Sequence, residues 1–571
     1  MKKQLKDDGR HKPMKGAQIA IKCLERANVK IIFAYPGGAA LELHQALQDS
    51  KIRVILPRHE QGGAFAAAGV ARATGETGVC MATSGPGATN LITGIADAYM
   101  DSIPLVAITG QVSSKLIGKN AFQEIDIIGV TRPIVKHSYL VLDASEIPKV
   151  FAEAFYLANS GRPGPVLIDL PKNVQQQVCI PHFSEKITDR NYRPDHAINA
   201  DDIEAIRDSI EKCKRPCIYA GGGIITSGAS DALRLFAENY NIPVTTTLMG
   251  IGCFPEDHPL SLKWLGMHGT VYANNAANEC DLLIALGARF DDRVTGPTNL
   301  FAVNSKIIHV DIDRSEINKN VPADIGVVAN VKDVLDALNE KPLRKKYADW
   351  FRQIDEWKRK FPLTYKESGK IQPQHVMQTL CRLTGGEAVI VPGVGQHQMW
   401  AAQYYTYRHP RQLLVSGGLG AMGFGFPSAM GAKVAMPDKL VVNIDGDGSF
   451  QMNIQELGTL HTEEIDVKTI ILNNQHLGMV AQWEDRFYGS RRGNTVLKNE
   501  RVARPYPDFV TIAKGYMIPG REVYRKDELE DAIREMLETK GSFVLDVHVE
   551  YQEHVLPMIP PGKSYKDILY K

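Results

Sequence analysis

The chain has 571 residues, of which 44% are hydrophobic and 23% are charged, and its formal net charge at pH 7 is +1. This length predicts three or four domains, and the near-neutral charge argues against an electrostatic nucleic-acid surface. No apolar run reaches the roughly 20 residues that a membrane-spanning helix needs. We therefore expect a globular protein of several domains.

The N-terminal residues 1–16 are polar, include Asp7 and Asp8, and lack the apolar core of a secretory signal. The acidic pair and the lack of serine also argue against an organelle transit peptide, and the first dozen residues resemble a frayed tail. Eight cysteines are scattered singly, and the nearest pair, Cys213 and Cys217, has the spacing of neither a zinc knuckle nor a CxxC motif. We therefore expect reduced thiols and a cytoplasmic location.

The first third of the chain, residues 14–190, alternates helical and apolar extended patterns. Apolar runs predict strands at 30–34, 52–56, 79–83 and 103–109, with helices between them. This alternation predicts a doubly wound parallel sheet. Glu60 follows the second strand at the start of an Ala-rich helix, where a glutamate is favoured by the helix dipole alone.

The middle third follows a polar segment, 190–202, that is predicted to be a linker. Strands are predicted at 215–220, 242–247, 281–286 and 306–310. They suggest a second Rossmann-like domain, in which Asp311 at a strand end could hold a ribose hydroxyl. No G-x-G-x-x-G motif is present, so a purely structural α/β domain is the alternative.

Two charged stretches of the middle third lead to separate predictions, one about ligand binding and one about secondary structure. Residues 288–293 contain Arg289 and Arg293 directly after a strand, where a guanidinium could bind a carboxylate or phosphate. The alternative is a solvated loop whose charges pair with each other. Residues 341–370 predict a surface helix followed by a connector.

The last third, 371–571, contains the stretch that is most informative about function. Strands are predicted at 388–392, 413–415, 440–444, 467–472 and 544–548. The third of these ends in Asp445-Gly446-Asp447-Gly448 and the fourth in Asn473-Asn474. Asn453 and Glu456 have capping-box spacing, which predicts a helix that begins at Asn453.

Parallel strands place the turns at their carboxyl ends along one edge of the sheet, so Asp447 and Asn474 can converge. A carboxylate and an amide supply the oxygen ligands that Mg²⁺ takes together with phosphate and water. Glycines let backbone N–H groups approach a phosphate. The pattern therefore predicts a metal-bridged diphosphate site, and the alternative is an ordinary βαβ turn.

The GDG turn and the Asn-Asn pair resemble the thiamine diphosphate signature. With RHEQG, TSGPGATN, AFQE, RFDDRVTG, GGLGAMG, GDGSF, LNN and GMVAQW in this order, the sequence resembles catalytic subunits of the acetohydroxyacid synthase (acetolactate synthase) family from about residue 14 to the C-terminus. The resemblance implies three α/β domains, which are a pyrimidine-binding domain at 14–190, a central FAD-binding domain at 191–360 and a diphosphate- and magnesium-binding domain at 371–571. It also implies a homodimer or tetramer with active sites between subunits, and a small regulatory subunit.

The same resemblance implies roles for individual residues. Glu60 would activate the pyrimidine ring, and Mg²⁺ would be bound by Asp447, Asn474 and the backbone carbonyl of His476. The other implied catalytic residues are Gly38 and Gln123 facing the reacting carbon, Lys136 on the substrate channel, Arg293 on the carboxylate of the second ketoacid, and Trp483 beside its side chain. The implied thiamine diphosphate contacts are Tyr35, Glu60, Pro86, Asn90, Val394, Gly395, Gln396, His397, Gly420, Met422, Gly446, Gly448, Ser449, Gly478 and Met479. The implied FAD contacts are Arg162, Gly221, Gly222, Met267, His268, Gly269, Gly287, Arg289, Arg293, Asp311 and Asn330.

The chain departs from the family pattern at several positions. Ala68 and Val70 stand where a glutamate and a tyrosine are common, and Ser113 stands where a proline is common. Ala329-Asn330 replaces a common Gly-Asp pair near the expected FAD adenosine.

The activity implied by the resemblance is decarboxylation of pyruvate followed by condensation with a second 2-ketoacid, either pyruvate or 2-ketobutyrate, in branched-chain amino-acid biosynthesis. FAD does no net redox work in this reaction. One alternative is another thiamine–flavin enzyme, such as a pyruvate oxidase or a glyoxylate carboligase; Glu60 argues against the latter, which lacks that acid. A second alternative is a non-catalytic nucleotide-binding or scaffold subunit, against which Glu60, Asp447 and Asn474 argue.

Overall fold

The computed structural model describes residues 12–183 and 197–570 of the chain. The chain divides into two compact units, Met1–Tyr192 and Arg193–Lys571. Within the described ranges, no helix is long and apolar enough to cross a membrane. The predicted N-terminal tail and most of the predicted linker lie outside the described residues.

The first unit contains a parallel six-stranded sheet and a separate pair of short strands. The strands of the unit are β1 Met14–Lys15, β2 Ile31–Ala34, β3 Arg53–Ile55, β4 Gly78–Ala82, β5 Leu105–Gln111, β6 His137–Leu140, β7 Pro165–Pro171 and β8 Val178–Cys179. Its helices are α1 Gly16–Arg26, α2 Leu41–Gln48, α3 Glu60–Thr74, α4 Pro86–Asn90, α5 Ile92–Met100, α6 Ile127–Thr131, α7 Ile147–Asn159 and α8 Lys172–Gln176, with 3₁₀ turns at Ser114–Leu116, Arg132–Ile134 and Ala144–Glu146. The sheet order is β3-β2-β4-β5-β7-β6, and β1 pairs separately with β8 in antiparallel fashion.

All pairs within the six-stranded sheet are parallel, as the alternating pattern predicts. The four predicted strands are observed with ends shifted by one or two residues. Strands β4 and β5 are buried over their whole lengths, because parallel sheets are covered by helices on both faces.

The middle part of the second unit contains another parallel six-stranded sheet. Its strands are β9 Pro216–Ala220, β10 Val244–Thr246, β11 Ser261–Trp264, β12 Leu282–Leu286, β13 Lys306–Asp311 and β14 Ile325–Val328. Its helices are α9 Ala200–Lys212, α10 Gly222–Thr226, α11 Ser230–Tyr240, α12 Val271–Glu279, α13 Asp292–Thr295, α14 Val331–Asn339 and α15 Ala348–Lys360, with 3₁₀ turns at Leu248–Gly250 and Thr298–Leu300.

The strand order in this sheet is β11-β10-β9-β12-β13-β14. In the order of the chain this is 3-2-1-4-5-6, the arrangement of dinucleotide-binding folds, with a topological switch point between β9 and β12. One local expectation needs correction. The predicted linker extends to residue 202, but α9 already begins at Ala200, because the Asn199 side chain caps it. The surface helix predicted within 341–370 is α15, and it is anchored by Trp350, which is buried and donates its indole N–H to Pro216 O at 3.0 Å.

The carboxyl-terminal part of the second unit contains a parallel five-stranded sheet. Its strands are β15 Val389–Pro392, β16 Val441–Gly446, β17 Lys468–Asn473, β18 Gly520–Val523 and β19 Phe543–His548. Its helices are α16 Pro373–Leu383, α17 Gln396–Tyr404, α18 Gly425–Ala435, α19 Asp447–Phe450, α20 Leu457–Thr462, α21 Gly478–Phe487, α22 Phe509–Gly515 and α23 Leu529–Glu538, with 3₁₀ turns at Gln451–Glu456, Lys526–Glu528 and Tyr565–Asp567. The sheet order is β15-β16-β17-β19-β18, with all pairs parallel.

Two predictions for this last part are wrong. Residues 413–415 form no strand; only Leu413 makes an isolated bridge, to Ile390. The helix after the GDG turn begins at Asp447 rather than at Asn453, whose φ of −134° interrupts the helical backbone. The Asn453 amide instead donates to Gly423 O at 2.7 Å, so this side chain ties two loops together and does not cap a helix.

Candidate active site

The structure brings Asp447 and Asn474 together at the carboxyl ends of the neighbouring strands β16 and β17. The Asn474 N–H donates to Asp447 Oδ1 at 3.4 Å. The Asn474 side-chain oxygen accepts from the His476 N–H at 3.0 Å, so Asn474 and His476 form a turn that contacts Asp447. Gln475, in the middle of this turn, has a φ of +58°, an uncommon conformation for a residue with a side chain.

The glycines around this turn are required by close contacts. A Cβ atom on Gly478 would lie 2.1 Å from Gln396 Oε1 and 2.5 Å from Asn474 Nδ2. A Cβ atom on Gly446 would lie 2.6 Å from the His397 ring. The turn therefore needs glycine at these positions.

Asp447 is buried and is held by partners on one side. Burial raises the pKa of its carboxyl group to about 6. The Tyr506 hydroxyl donates to Asp447 Oδ2 at 2.6 Å, and the Gln451 amide donates both to the Tyr506 hydroxyl at 2.9 Å and to the Asp447 backbone carbonyl at 3.1 Å. Oδ2 thus accepts from a strong donor, while backbone N–H groups of Asp447, Asn474 and Gln475 also face the carboxylate. This donor set fits a hard divalent cation that takes one carboxylate oxygen.

His397 and Asp445 lie behind the turn. Burial lowers the pKa of His397 to about 3 and raises the pKa of Asp445 to about 7, and the two side chains are 3.5 Å apart. The Ser449 hydroxyl accepts from the Gly423 N–H at 3.0 Å. A Cβ atom on Gly393 would lie 1.9 Å from Asp445 Oδ1. These residues form a packed polar layer that fixes the ends of β15 and β16.

Gln396 connects this site with the C-terminal segment of the chain. Its amide donates to Gln482 Oε1 at 2.9 Å and to Glu553 O at 3.0 Å. Gln482 in turn accepts from the Val555 N–H at 2.8 Å and donates to Val555 O at 3.1 Å. The start of α17, the middle of α21 and the segment after β19 are therefore held together.

The remaining implied contacts of this part lie on the same edge of the sheet or on α21. A Cβ atom on Gly448 would lie 3.7 Å from the Met422 methyl group, and one on Gly420 would lie 3.9 Å from Val394. Met479 and Trp483 both lie on α21, and Trp483 is half-buried with its ring 5.6 Å from that of Phe487. Gly395, another residue of this group, directly precedes α17.

In the first unit, Glu60 follows β3 and lies beside the segment that follows β4. Glu60 begins α3 and is half-buried, and its Oε2 accepts from the Asn90 amide at 2.9 Å. A Cβ atom on Gly87 would lie 3.4 Å from Glu60 Oε1. The glycine-rich turn that contains Pro86 therefore allows α4 to approach this carboxylate.

Gln123 lies against the turn that contains Gly85, and Gly38 lies in the turn after Tyr35. Gln123 has a φ of +59°, and a Cβ atom on Gly85 would lie 2.9 Å from the Gln123 Cα atom. Gly38 is exposed, and none of the described residues has an atom within 4 Å of the position where its Cβ would be. The turn after Tyr35 is therefore open at this position.

Lys136 and Arg162 have structural partners in the first unit. The Lys136 ammonium group donates to Leu157 O and, at 2.7 Å, to Ser160 O, and so satisfies carbonyl groups at the carboxyl end of α7. The Arg162 Nε donates to the Ser102 hydroxyl at 2.8 Å. These hydrogen bonds hold the two side chains in place, and they do not show whether Lys136 lies on a substrate channel or Arg162 contacts FAD.

The implied FAD contacts of the second unit lie mostly at the carboxyl edge of the middle sheet. Gly221 and Gly222 follow β9, Gly287 and Arg289 follow β12, and Asp311 ends β13. A Cβ atom on Gly221 would lie 2.1 Å from Gly287 O, so the backbones of the two turns touch at the switch point. The residues fit a dinucleotide, which binds at this place in such sheets.

Other residues of this set meet the C-terminal part of the same unit. Burial lowers the pKa of His268 to about 4, and its Nδ1 is 3.2 Å from Pro557 O. The Met267 N–H donates to Arg293 O at 2.8 Å. Gly269 packs so closely that a Cβ atom would lie 2.5 Å from Leu265. The Arg293 side chain is 65% exposed and its Nε lies 3.6 Å from Asp292 Oδ2, so in this structure its charge is paired with a neighbour in the same loop.

The positions that depart from the family pattern have clear structural settings. Asn330 caps α14, because its side-chain oxygen accepts from the Lys332 N–H at 3.0 Å, and this is a position where Asn and Asp are equally suitable. Ala68 and Val70 are buried in α3. Ser113 has a φ of −51° and a ψ of 138°, which a proline could also adopt.

Sequence reasoning did not identify Tyr506, Gln451 or Gln482 as parts of the site. Tyr506 lies 59 residues beyond Asp447, between α21 and α22. No spacing rule connects it with the GDG turn. Gln482 belongs to the GMVAQW motif, but only the structure shows that its amide is paired with the backbone of Val555.

Comparison with known families identifies the class of protein. Three models match the chain in order: the thiamine pyrophosphate enzyme N-terminal TPP-binding domain at residues 14–130, the central domain at 203–338, and the C-terminal TPP-binding domain at 393–547. Together with the three parallel sheets, these matches define a thiamine diphosphate-dependent enzyme.

Individual relatives narrow this class. The chain is 55% identical to acetolactate synthase 1 of Zea mays over 98% of this chain and 89% of that protein. It is 53% identical to acetolactate synthase 1 of Nicotiana tabacum and 52% identical to acetolactate synthase of Arabidopsis thaliana, in each case over 98% of this chain and about 85% of the relative. The chain belongs to the acetolactate synthase family.

The predicted cytoplasmic location is wrong on this comparison. The relatives from Zea mays, Nicotiana tabacum and Arabidopsis thaliana are all chloroplastic enzymes. The prediction depended on finding no leader segment and no paired cysteines, and neither of these absences identifies a compartment.

Proposed function

We propose that this chain catalyses the decarboxylation of pyruvate and the transfer of the remaining two-carbon unit to a second 2-ketoacid, which is pyruvate or 2-ketobutyrate. Thiamine diphosphate supplies the electron sink for the decarboxylation. The observation that carries this proposal is the turn in which the Asn474 N–H meets Asp447 Oδ1 at 3.4 Å. Full-length identity to acetolactate synthases makes this reaction better supported than that of an oxidase.

We further propose that Asp447, Asn474 and the His476 carbonyl hold Mg²⁺ against the diphosphate. Glu60 would hold a proton at the pyrimidine ring, with Asn90 orienting its carboxyl group. Gly38 and Gln123 would border the space for the ketoacid. Lys136 would lie along the route by which the ketoacid enters.

The acceptor ketoacid would be bound by residues of the second unit. The exposed Arg293 guanidinium suits its carboxylate. Trp483 would contact its side chain, and an apolar contact with one additional methylene group is worth about 1–3 kcal/mol. The carboxyl edge of the middle sheet would hold FAD, with Asp311 on its ribose. An oligomer with active sites between subunits and a small regulatory subunit belong to the same proposal.

The test is an assay of purified chain with pyruvate alone and with pyruvate plus 2-ketobutyrate. Thiamine diphosphate, Mg²⁺ and FAD are each omitted in turn. We expect 2-acetolactate from pyruvate, 2-aceto-2-hydroxybutyrate from the mixture, and loss of both products without thiamine diphosphate or Mg²⁺. Anaerobic bleaching of the flavin by pyruvate, without either product, would show an oxidase instead.

A further inference from the structure

A group of ligating side chains outside the proposed active site lies at the edge of the C-terminal sheet. Glu522 on β18 and Asp546 on β19 are direct partners in the parallel register, so their side chains lie on the same face. His548 follows two residues after Asp546 on β19 and shares that face. One oxygen or nitrogen atom from each of the three side chains lies within 4.8 Å of the others.

These distances are close to those of a coordinated cation. His548 Nε2 is 3.7 Å from Asp546 Oδ2. A tetrahedral ion held at about 2.1 Å by nitrogen and oxygen ligands separates them by about 3.4 Å. Small rotations of the side chains would therefore complete the site without movement of the backbone.

Unpaired buried atoms are a separate indication of a binding site. Asp546 is 1% exposed and Asn473, on β17, is 2% exposed. The Asn473 amide nitrogen donates to Asp546 Oδ2 at 3.2 Å. Asp546 Oδ1, Asn473 Oδ1 and His548 Nε2 are buried and have no hydrogen-bond partner among the residues that the structure describes. Buried polar atoms are normally paired, so three unpaired atoms in one place require an explanation.

The charges in this region also favour a cation. The carboxylates of Glu522, Asp447 and Asp508 act electrostatically on Asp546. A bound cation would neutralise this repulsion.

A neighbouring tyrosine orients two of the three side chains. The Tyr524 ring is stacked on the His548 ring, with centroids 4.0 Å apart and planes 17° apart. The Tyr524 hydroxyl donates to Glu522 Oε2 at 3.2 Å. Partners of this kind fix the ligands of metal sites in their binding orientation. Glu522 and His548 are half-buried, so an ion can reach them from solvent.

We propose that Glu522, Asp546 and His548 form a second divalent-cation site, separate from the magnesium position at Asp447 and Asn474. One imidazole and two carboxylates suit a borderline transition ion such as Zn²⁺, whereas Mg²⁺ prefers oxygen ligands alone. The bound ion would tie the edge strand β18 to β19. This site does not depend on the proposed carboligase reaction.

The test uses the full chain, freed of metal with a chelator and then saturated with Mg²⁺ and thiamine diphosphate. Zn²⁺ is titrated by calorimetry, and Co²⁺ is titrated as a spectroscopic substitute whose visible absorption reports nitrogen and oxygen ligands. We expect one additional equivalent per chain and a higher Tm with Zn²⁺. Glu522→Gln and His548→Gln should each weaken this binding at least tenfold and abolish the rise in Tm.

His409→Gln is the matched control, because His409 is an exposed histidine that lies 3.6 Å from a carboxylate, that of Glu387. It should leave the additional equivalent unchanged. Circular dichroism and the Tm without Zn²⁺ establish that each variant is folded; Glu522→Gln changes a half-exposed side chain and is the safer of the two. Absence of an additional equivalent in the parent, or unchanged binding in folded Glu522→Gln, would overturn the proposal.

Discussion

Tyr506→Phe tests whether the geometry of Asp447 is set by a residue outside the sequence motif. The substitution removes one oxygen and keeps the ring, which packs against Phe509 with centroids 5.8 Å apart. Asp447 Oδ2 then loses the hydroxyl that donates to it at 2.6 Å. The carboxylate becomes free to rotate, and its position for Mg²⁺ is less well defined.

The expected magnitude follows from the nature of the lost bond. A hydrogen bond to a charged group contributes about 1.5–3 kcal/mol. Since about 1.4 kcal/mol corresponds to a tenfold change in an equilibrium constant, the Kd for Mg²⁺ should rise about 10- to 100-fold. Outer partners of metal ligands show losses of the same order. Because Asp447 is 1% exposed, water cannot readily replace the hydroxyl.

The assay is titration of Mg²⁺ into metal-free protein at a fixed concentration of thiamine diphosphate, read by calorimetry or by quenching of tryptophan fluorescence. Tyr516→Phe is the control, because Tyr516 lies at the end of α22 and is 36% exposed. It should bind Mg²⁺ as the parent does. If Tyr506→Phe is folded and its Kd for Mg²⁺ lies within twofold of the parent value, Tyr506 does not position Asp447.

Three further substitutions test other residues. Glu60→Gln should slow exchange of the C2 proton of bound thiamine diphosphate about 10²- to 10⁴-fold, measured by deuterium exchange and NMR; an unchanged rate would exclude this role. Trp483→Leu should remove the preference for 2-ketobutyrate over pyruvate while 2-acetolactate formation continues, and identical product ratios for mutant and parent in competition assays would contradict this. Burial raises the pKa of Asp169 from 3.8 to about 7, so its contribution to stability is complete below about pH 4 and is lost as the pH rises through 7. At about 1.4 kcal/mol per pKa unit this amounts to about 4 kcal/mol; urea unfolding from pH 4 to 8 should show the loss in the parent and a flatter profile in Asp169→Asn, and equal slopes would refute it.

The alternation of strands and helices could be read from the sequence because local patterns decide it. Apolar runs such as those of β4 and β12 end in glycine or polar turns, and this pattern belongs to parallel sheets that are covered on both faces. The same reasoning placed Asp447 beside Asn474, since neighbouring parallel strands end at one edge. The structure confirms that contact.

Local signals failed where a long-range contact competed with them. The spacing of Asn453 and Glu456 suggested a capping box, but Gly423 offers its carbonyl to the Asn453 amide from a distant loop. Residues 413–415 resembled a strand, yet they form only an isolated bridge to Ile390, with one hydrogen bond from the Leu414 N–H and one to Gln412 O. At Asn453 a contact between segments far apart in the chain decided the local conformation.

The sequence by itself determined the three parallel sheets and the turn that joins a carboxylate to an amide, because periodicity and glycine placement act over a few residues. The tertiary structure alone decided which strands are neighbours, for example that β19 lies between β17 and β18. That order sets Glu522 opposite Asp546 and brings Asn473 to Asp546. It also decided that Tyr506 donates to Asp447. Such contacts join residues tens of positions apart, and they form only when the whole sheet is closed by packing of its helices.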